Sequence, residues 1–326
     1  MRVLITGVTG LVGSHLADYL LTMEDIEVHG FKRWRSDDRS IAHLYSCVKF
    51  HEGDIEDTAS VGQTIRDLQP QRIYHLAAQS YPSESWDAPI ATVNANIIGT
   101  VNLLEAVRHF SPASQVHVAG SSAEYGFISP DEVPISEDHP LRPLSPYGVT
   151  KVAQELFGLQ YEKNYGIPVY VTRSFNHVGP RQGDRCSIQT FCKQMVEAEL
   201  GRRDPVIHVG NLEPQRDFTD VRDAVRAFWL LLEKGRSGEV YNLCSGRAVA
   251  IQEILDTVLQ LGRIQVHVEI DPLRLRPADE PILMGDNTKL RHDTGWAPEI
   301  PLKQTVQSIL DYWRQRLRAE TGEVLD

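Results

Sequence analysis

Three glycines near the start of the chain constrain its fold more than any other feature. Gly7-Val8-Thr9-Gly10-Leu11-Val12-Gly13 stands between the apolar run Val3-Leu4-Ile5 and a segment in which Val12, Leu16 and Leu20 recur at helical spacing. Glycine at a strand-to-helix turn lets the backbone pass close to a pyrophosphate, and the helix N-terminus offers unpaired N–H groups to the charge. A glycine trio alone is a weak signal. Here the strand before, the helix after and a second strand candidate ~20 residues further on supply the expected context. The spacing GxxGxxG differs from GxGxxG and points to a particular branch of the dinucleotide-binding fold.

The rest of the first half keeps the same rhythm. Strand candidates at Glu27–Phe31, Val48–Glu52, Ile73–Leu76, Val116–Ala119 and Pro168–Thr172 alternate with helical stretches at Thr58–Leu68, Val93–Phe110 and Ser145–Tyr165. Such alternation implies crossover units and a parallel sheet covered on both faces. After Arg173 the pattern loosens. Helical candidates at Ser187–Leu200, Val221–Glu233, Ile251–Leu259 and Lys303–Arg318 mix with short strands at Val206–Val209, Val240–Leu243 and Val266–Ile270. The expected class is α/β: a doubly wound parallel Rossmann-type sheet over residues 1–173. A smaller mixed α/β substrate lobe is expected over 174–326, partly interleaved with the sheet.

Composition narrows the partners. Of 326 residues 44 are acidic and 33 basic, a net charge of −11 that argues against a general affinity for nucleic acid or an anionic membrane. Four scattered cysteines, with no CxxC pair, read as small buried residues of a reducing compartment, and no metal site is expected. Met1 runs straight into a strand with no basic leader, and no apolar run reaches the ~18 residues of a membrane span. A soluble, cytoplasmic protein is the expectation.

The second strand candidate ends in Phe31-Lys32-Arg33-Trp34-Arg35. An NAD site places Asp or Glu here for the ribose 2′-hydroxyl, whereas cations suit a 2′-phosphate. Lys32, Arg33 and Arg35 therefore favour NADP(H) over NAD. Asp54 in Gly53-Asp54-Ile55, after the third strand, is placed to meet an adenine amino group, with Ile55 beside it.

Tyr147-Gly148-Val149-Thr150-Lys151 sets a phenol and an ammonium on one helical face. Chance supplies about 0.3 such YxxxK spacings in a chain of this composition, so the spacing alone carries little. Tyr45 and Lys49 form such a decoy. Tyr147 is distinguished by opening a helix behind Ser145-Pro146 and by following a strand that ends in Gly120-Ser121-Ser122. Carboxyl ends of parallel strands are where ligands sit in open sheets. A free Tyr, with a pKa of ~10, is a poor proton carrier at neutral pH; Lys⁺ and a nicotinamide cation favour its phenolate. Ser121 is suited to bind the oxygen at which charge develops. The three together read as a hydride-transfer site with a proton relay.

Those residues resemble the extended short-chain dehydrogenase/reductases that modify nucleotide sugars. Thr6-Gly7-x-x-Gly10-x-x-Gly13, His75-Leu76-Ala77-Ala78, the Tyr147/Lys151 pair and Asn96-x-x-Gly99-Thr100-x-Asn102 all match that family. The resemblance implies cofactor contacts at Leu76, Ala77 and Ala78, and a substrate contact at Ser122. It also implies a homodimer built from the Val93–Phe110 and Ser145–Tyr165 helices. It further implies a nucleotide-sugar ligand held by Asn176 of Arg173-Ser174-Phe175-Asn176-His177-Val178-Gly179-Pro180, by Arg216 of Gln215-Arg216-Asp217-Phe218-Thr219-Asp220-Val221, and by Arg276 of Arg274-Leu275-Arg276-Pro277. The forked guanidinium suits phosphate.

Within the family the segments are most similar to reductases of GDP-6-deoxy-4-keto-mannose that form GDP-rhamnose. GDP-mannose 4,6-dehydratases are near relatives, and sugar epimerases remain a further alternative. The dehydratases carry Thr-x-Glu after the fifth strand, where Glu takes the C5 proton; here the positions read Ser121 and Ala123. Glu124 is one residue late and, in an extended segment, faces the opposite way. The expected mechanism has NADPH reducing C4 of the keto sugar, with Tyr147 protonating the alkoxide, Ser121 binding the oxygen and Lys151 tuning Tyr147 and holding the nicotinamide ribose. A chemically silent sensor would tend to lack Tyr147 or Lys151, and the spaced arginines argue against a small-alcohol dehydrogenase.

Overall fold

A computed structural model describes residues 1–275 and 280–320. The strands are β1 (Arg2–Thr6), β2 (Glu27–Lys32), β3 (Lys49–Glu52), β4 (Arg72–His75), β5 (Gln115–Ser121), β6 (Val169–Ser174), β7 (Asn176–Val178), β8 (Val206–Val209), β9 (Gln215–Asp220), β10 (Val240–Leu243), β11 (Ala248–Ala250), β12 (His267–Ile270) and β13 (Ile282–Leu283). The helices are α1 (Leu11–Leu21), α2 (Thr58–Leu68), α3 (Pro82–Asp87), α4 (Pro89–Val93), α5 (Gly99–Phe110), α6 (Pro146–Tyr165), α7 (Ser187–Glu199), α8 (Val221–Lys234), α9 (Ile251–Leu261), α10 (Thr288–Thr294) and α11 (Leu302–Glu320).

Seven parallel strands form the main sheet in the order β10-β6-β5-β4-β1-β2-β3. The order reverses between β1 and β4, so the connections leaving those strands diverge and open a crevice at their carboxyl ends. One face is covered by α1 and α8, with Leu16, Leu20, Phe228, Leu231 and Trp296 in its core. The other is covered by α2, α5 and α6, where Ile65, Leu103, Leu104, Val107 and Tyr161 pack on Val116 and Val169. The strands read as continuous apolar runs because both faces are buried.

The seventh strand comes from the second half of the chain: β10 pairs with β6 and α8 packs on α1. The remaining second-half strands lie outside this sheet. β7, β11 and β13 pair with β9, β12 pairs with β8, and α7, α9 and α11 enclose a separate core around Ile188, Phe191, Met195, Ile254 and Trp313. β9 had no counterpart among the sequence expectations, because Gln215–Asp220 contains a single large apolar residue, Phe218.

Local chemistry starts and stops the helix that matters most. The Ser145 hydroxyl accepts the Gly148 N–H at 3.1 Å, Pro146 occupies the first turn, and Gly166 closes α6 at φ +69°. Leu16, Leu20 and their neighbours likewise set α1 directly behind the glycine loop. The helix expected over Val93–Phe110 is interrupted. Asn94–Ile98 forms a single π-helical turn between α4 and α5, and Asn96 within it bonds to the Gln79 backbone and to Thr150 of α6. The run Pro89–Phe110 meets the length and apolarity of a membrane span, contrary to the sequence expectation, but half of it is buried within the fold. The cysteines also differ from expectation: Cys192 and Cys244 are buried, whereas Cys186 is half-buried and Cys47 is exposed.

Asp217 joins the second-half strands to the sheet. It is fully buried on β9 and accepts from the Ser245 backbone N–H at 2.7 Å, the Ser245 hydroxyl at 2.6 Å and the Gly246 N–H at 2.9 Å, fixing the turn that leaves β10. Asp217→Ala strands these buried donors. We expect it to lower the unfolding free energy by about 2–4 kcal/mol, read as a shift in the urea midpoint, whereas a change within error would mean the turn repairs itself.

Candidate active site

The glycine loop is built to bring a ligand close to backbone. Gly7 sits at φ +71°, and a Cβ there would lie 2.7 Å from the Ala77 nitrogen and 2.8 Å from the Leu76 carbonyl carbon. A Cβ on Gly13 would lie 2.4 Å from the Gly7 carbonyl oxygen. Gly10 caps α1 with no side-chain hydrogen bond, leaving the first amides of that helix to a ligand. The expected cofactor contacts Leu76, Ala77 and Ala78 form the opposite lip of the crevice, all partly exposed.

A buried polar lattice holds this lip. The Thr6 hydroxyl accepts from the Leu76 and Ala77 N–H groups at 3.2 Å each and lies 2.9 Å from His75 Nδ1. His75 Nε2 lies 2.9 Å from the Thr100 hydroxyl, which donates to the Asn96 carbonyl at 2.6 Å and accepts from Gln154 Nε2 at 2.6 Å. The Thr100 proton being committed, the bonding pattern puts the His75 proton on Nε2. Asn96 Nδ2 donates to the Thr150 hydroxyl at 2.9 Å, and that hydroxyl donates to the Tyr147 carbonyl at 2.7 Å. Sheet, π-turn and α6 are thus linked through side chains. Sequence reasoning quoted Thr6, His75, Asn96 and Thr100 only as parts of a resemblance and missed Gln154, Thr150 and Ser85, whose hydroxyl accepts the Tyr147 N–H at 3.1 Å. Nothing local marks those three.

Ser121, Tyr147 and Lys151 converge as expected. The Ser121 side chain stands beside the Tyr147 phenol and favours its ionised form. Lys151 Nζ donates to the Ala119 carbonyl at 2.8 Å and stands 5.7 Å from the Tyr147 ring centre. Burial pushes the Tyr147 phenol up to about 12, against the Ser121 side chain, and pulls Lys151 down to about 8, against the nearby Glu124. The expected bias toward phenolate is not present in the protein alone: desolvation dominates, and Tyr147 is held protonated.

The loop behind Ser121 corrects a second expectation. Ser122–Glu124 is a turn of 3₁₀ helix, capped by Ser121, and not an extended segment. Glu124 nonetheless points away from the crevice, for a different reason: its Oε1 accepts the Ser121 N–H at 2.6 Å and its side chain is fully buried. Ser122 is buried at the start of the same turn.

The basic turn after β2 splits. Lys32 is buried, its ammonium 3.0 Å from Asp38 Oδ2, whereas Arg33 and Arg35 are exposed. Arg35 lies 3.6 Å from Asp54, which flanks the crevice with buried Ile55. Tyr45, the decoy, is exposed and bonds to Asp38. Asn176 donates to the Asp217 carbonyl at 3.1 Å, and Arg216 to the carbonyls of Gln215 and Glu280 at 2.9 and 2.7 Å. Arg276 lies outside the described residues.

Comparisons with known proteins agree with this geometry. A family profile described as GDP-mannose 4,6 dehydratase matches residues 4–309, and the chain belongs to that family. It is 33% identical to the GDP-6-deoxy-D-mannose reductase of Pseudomonas aeruginosa, covering 98% of this chain and 99% of that protein. It is 30% identical to GDP-mannose 4,6 dehydratase 1 of Arabidopsis thaliana, over 94% and 88%. Among solved structures, RMD from P. aeruginosa complexed with NADPH superposes with a TM-score of 0.84 at 31% identity, over 97% and 99% of the chains. UDP-glucose 4-epimerase of Thermotoga maritima with UDP-glucose gives 0.86 at 26%, over 97% and 100%.

Four histidines are held neutral around the sheet: desolvation pulls His15 and His177 down to about 4, and His75 and His117 to about 3. Their folded values lie below the unfolded ~6.5, so the unfolded chain binds more protons in between and stability falls as pH drops through that window. Each contributes a slope of up to about 1.4 kcal/mol per pH unit. Thermal melting should drop steeply from pH 6.5 to 4; a flat profile would show these rings protonated in the fold.

Proposed function

We propose that the protein reduces the C4 keto group of a GDP-linked 4-keto-6-deoxyhexose with NADPH, giving a GDP-6-deoxyhexose of the rhamnose type. One observation carries the choice of reductase over dehydratase: Ser121, Tyr147 and Lys151 are assembled, but among the described residues no carboxylate accompanies them at the reacting face. Ala123 has none, and Glu124 is turned under the loop onto the Ser121 N–H. The similarity to the P. aeruginosa reductase supports the same reading.

The crevice fits a dinucleotide, since the space beside Gly7 and Gly13 is closed to any larger residue and the α1 amides face it. Exposed Arg33 and Arg35 suit the 2′-phosphate of NADP(H), with Asp54 and Ile55 at the adenine and Lys32 supporting the turn from beneath. When bound, the reduced nicotinamide supplies the hydride. Lys151, anchored on the Ala119 carbonyl, has its remaining N–H groups for the nicotinamide ribose. Ser121 binds the carbonyl oxygen, and Tyr147, protonated at neutral pH, gives its proton to the alkoxide. Asn176, Arg216 and Arg276 are assigned to the diphosphate side of the sugar nucleotide.

The test follows nicotinamide absorbance with NADPH and GDP-4-keto-6-deoxymannose, beside GDP-mannose with NADP⁺. Stoichiometric NADPH loss in the first mixture alone is expected. Keto sugar appearing from GDP-mannose would establish a dehydratase instead. Tyr147→Phe should lower kcat by about a hundredfold or more while leaving NADPH affinity nearly unchanged; near-normal turnover would remove Tyr147 as the acid.

Assembly through α4–α6 belongs to the same reading. Ile90, Ile98, Val149, Leu156 and Tyr165 are exposed apolar residues on these helices. Sedimentation should give a homodimer that Leu156→Arg converts to monomer; a monomeric wild type would refute this.

A further inference from the structure

Behind Ser121 and Lys151 lies a pair of buried carboxyl groups that hydride transfer does not use. Glu124 is fully buried, and its Oε1 holds the Ser121 N–H at 2.6 Å. The Ser121 hydroxyl oxygen accepts the Ala123 N–H at 3.2 Å, closing a reciprocal cap that fixes the direction of the Ser121 side chain. Room for the carboxyl comes from Gly120, where a Cβ would lie 2.5 Å from Glu124 Oε1.

The second oxygen of Glu124 is the anomaly. Oε2 has no hydrogen-bond partner, although it stands 3.9 Å from Arg173 Nε. That guanidinium is committed elsewhere. Arg173 forks onto Glu155 with Nε–Oε2 of 2.8 Å and Nη2–Oε1 of 2.7 Å, while Nη1 donates to the Tyr125 hydroxyl and the Glu137 carbonyl. The Glu155 carboxyl lies close enough to Glu124 for its charge to disfavour ionisation of Glu124. Two bare carboxylates can only accept, so that approach is repulsive unless one carries a proton. With the proton on Glu124 Oε2, the orphan oxygen becomes a donor to Glu155 and a single negative charge remains for Arg173.

We infer that Glu124 is a positioning residue that works as a neutral carboxylic acid: Oε1 aims Ser121 at the reacting oxygen, Oε2 donates to Glu155, and no negative charge lies beneath Tyr147 and Lys151. The titratable and charged groups that face it are Glu155, Tyr147 and Lys151 from α6 and Arg173 from β6. Burial, then the charge of Glu155, pushes the Glu124 carboxyl well above the usual carboxylate range. Ionised, it would raise both Tyr147 and Lys151, making the phenol a weaker acid. Loss of the Glu124 proton therefore slows proton delivery on the alkaline side.

The structural half is tested without substrate. Infrared spectra of the full-length protein at neutral pH should contain the carbonyl band of a buried protonated carboxyl, and Glu124→Gln should remove it. A wild-type spectrum lacking the band overturns the inference. The kinetic half rests on the proposed reductase activity. Glu124→Ala should lower kcat about a hundredfold with little change in KM, through misdirection of Ser121. Glu124→Gln, which keeps the acceptor and lacks the charge, should restore most of that loss and abolish the alkaline decline of kcat. Equal loss in Gln and Ala, or none in Ala, would overturn it. If Ala fails to fold, the Gln pH profile and the infrared band still decide. If the wild type has no activity on the keto sugar, the functional reading fails while the band continues to report on Glu124.

Discussion

The chain of hydrogen bonds Thr6–His75–Thr100–Gln154 is the constraint on which the site depends. It lies at the point where the strand order reverses, and it joins the ends of β1 and β4 to α5 and α6. All four residues are buried, so each unmade bond would cost roughly 1–3 kcal/mol, and the network tolerates only one arrangement of its helices. The glycine loop is clamped against Leu76 and Ala77 from one end of this chain. From the other end, α6 is held at the height that brings Tyr147 and Lys151 over the carboxyl end of β5. Neutral His75 is central, because it donates at one nitrogen and accepts at the other.

Burial also sets the chemistry. Desolvation moves Tyr147 up and Lys151 down, leaving the pair poised to give a proton rather than to take one. A similar logic governs the carboxyls behind them, where one cation, Arg173, serves two acids and already forks onto Glu155. Polar groups around the candidate site thus have their protonation fixed by neighbours set behind it. The second-half strands join the same system through Asp217, which ties β9 to the turn after β10.

Much of the scaffold was legible in the sequence. The helix Thr58–Leu68 and the strands Val206–Val209 and Val240–Leu243 coincide with the expected bounds, since each is a strongly patterned run with clear ends. β9 escaped because Gln215–Asp220 carries its burial in Asp217 and Thr219 rather than in apolar residues. The π-turn at Asn94–Ile98 escaped because its cause, the bonds from Asn96 to Gln79 and Thr150, joins residues 17 and 54 positions apart. The cations after β2 looked equivalent as a run, and only the fold buries Lys32 on Asp38 while leaving Arg33 and Arg35 in solvent.

By itself, the sequence determined the parallel α/β plan, the glycine loop and the choice of Ser121, Tyr147 and Lys151 as candidate site residues, because these rest on short-range periodicity and on residue types at fixed local spacings. The tertiary structure alone decided that β10 completes the sheet and that Glu124 lies beneath Ser121. It also decided that desolvation holds Tyr147 protonated. Those outcomes depend on which distant groups become neighbours and how much water they exclude, and the effects of burial on charge act through space rather than along the chain.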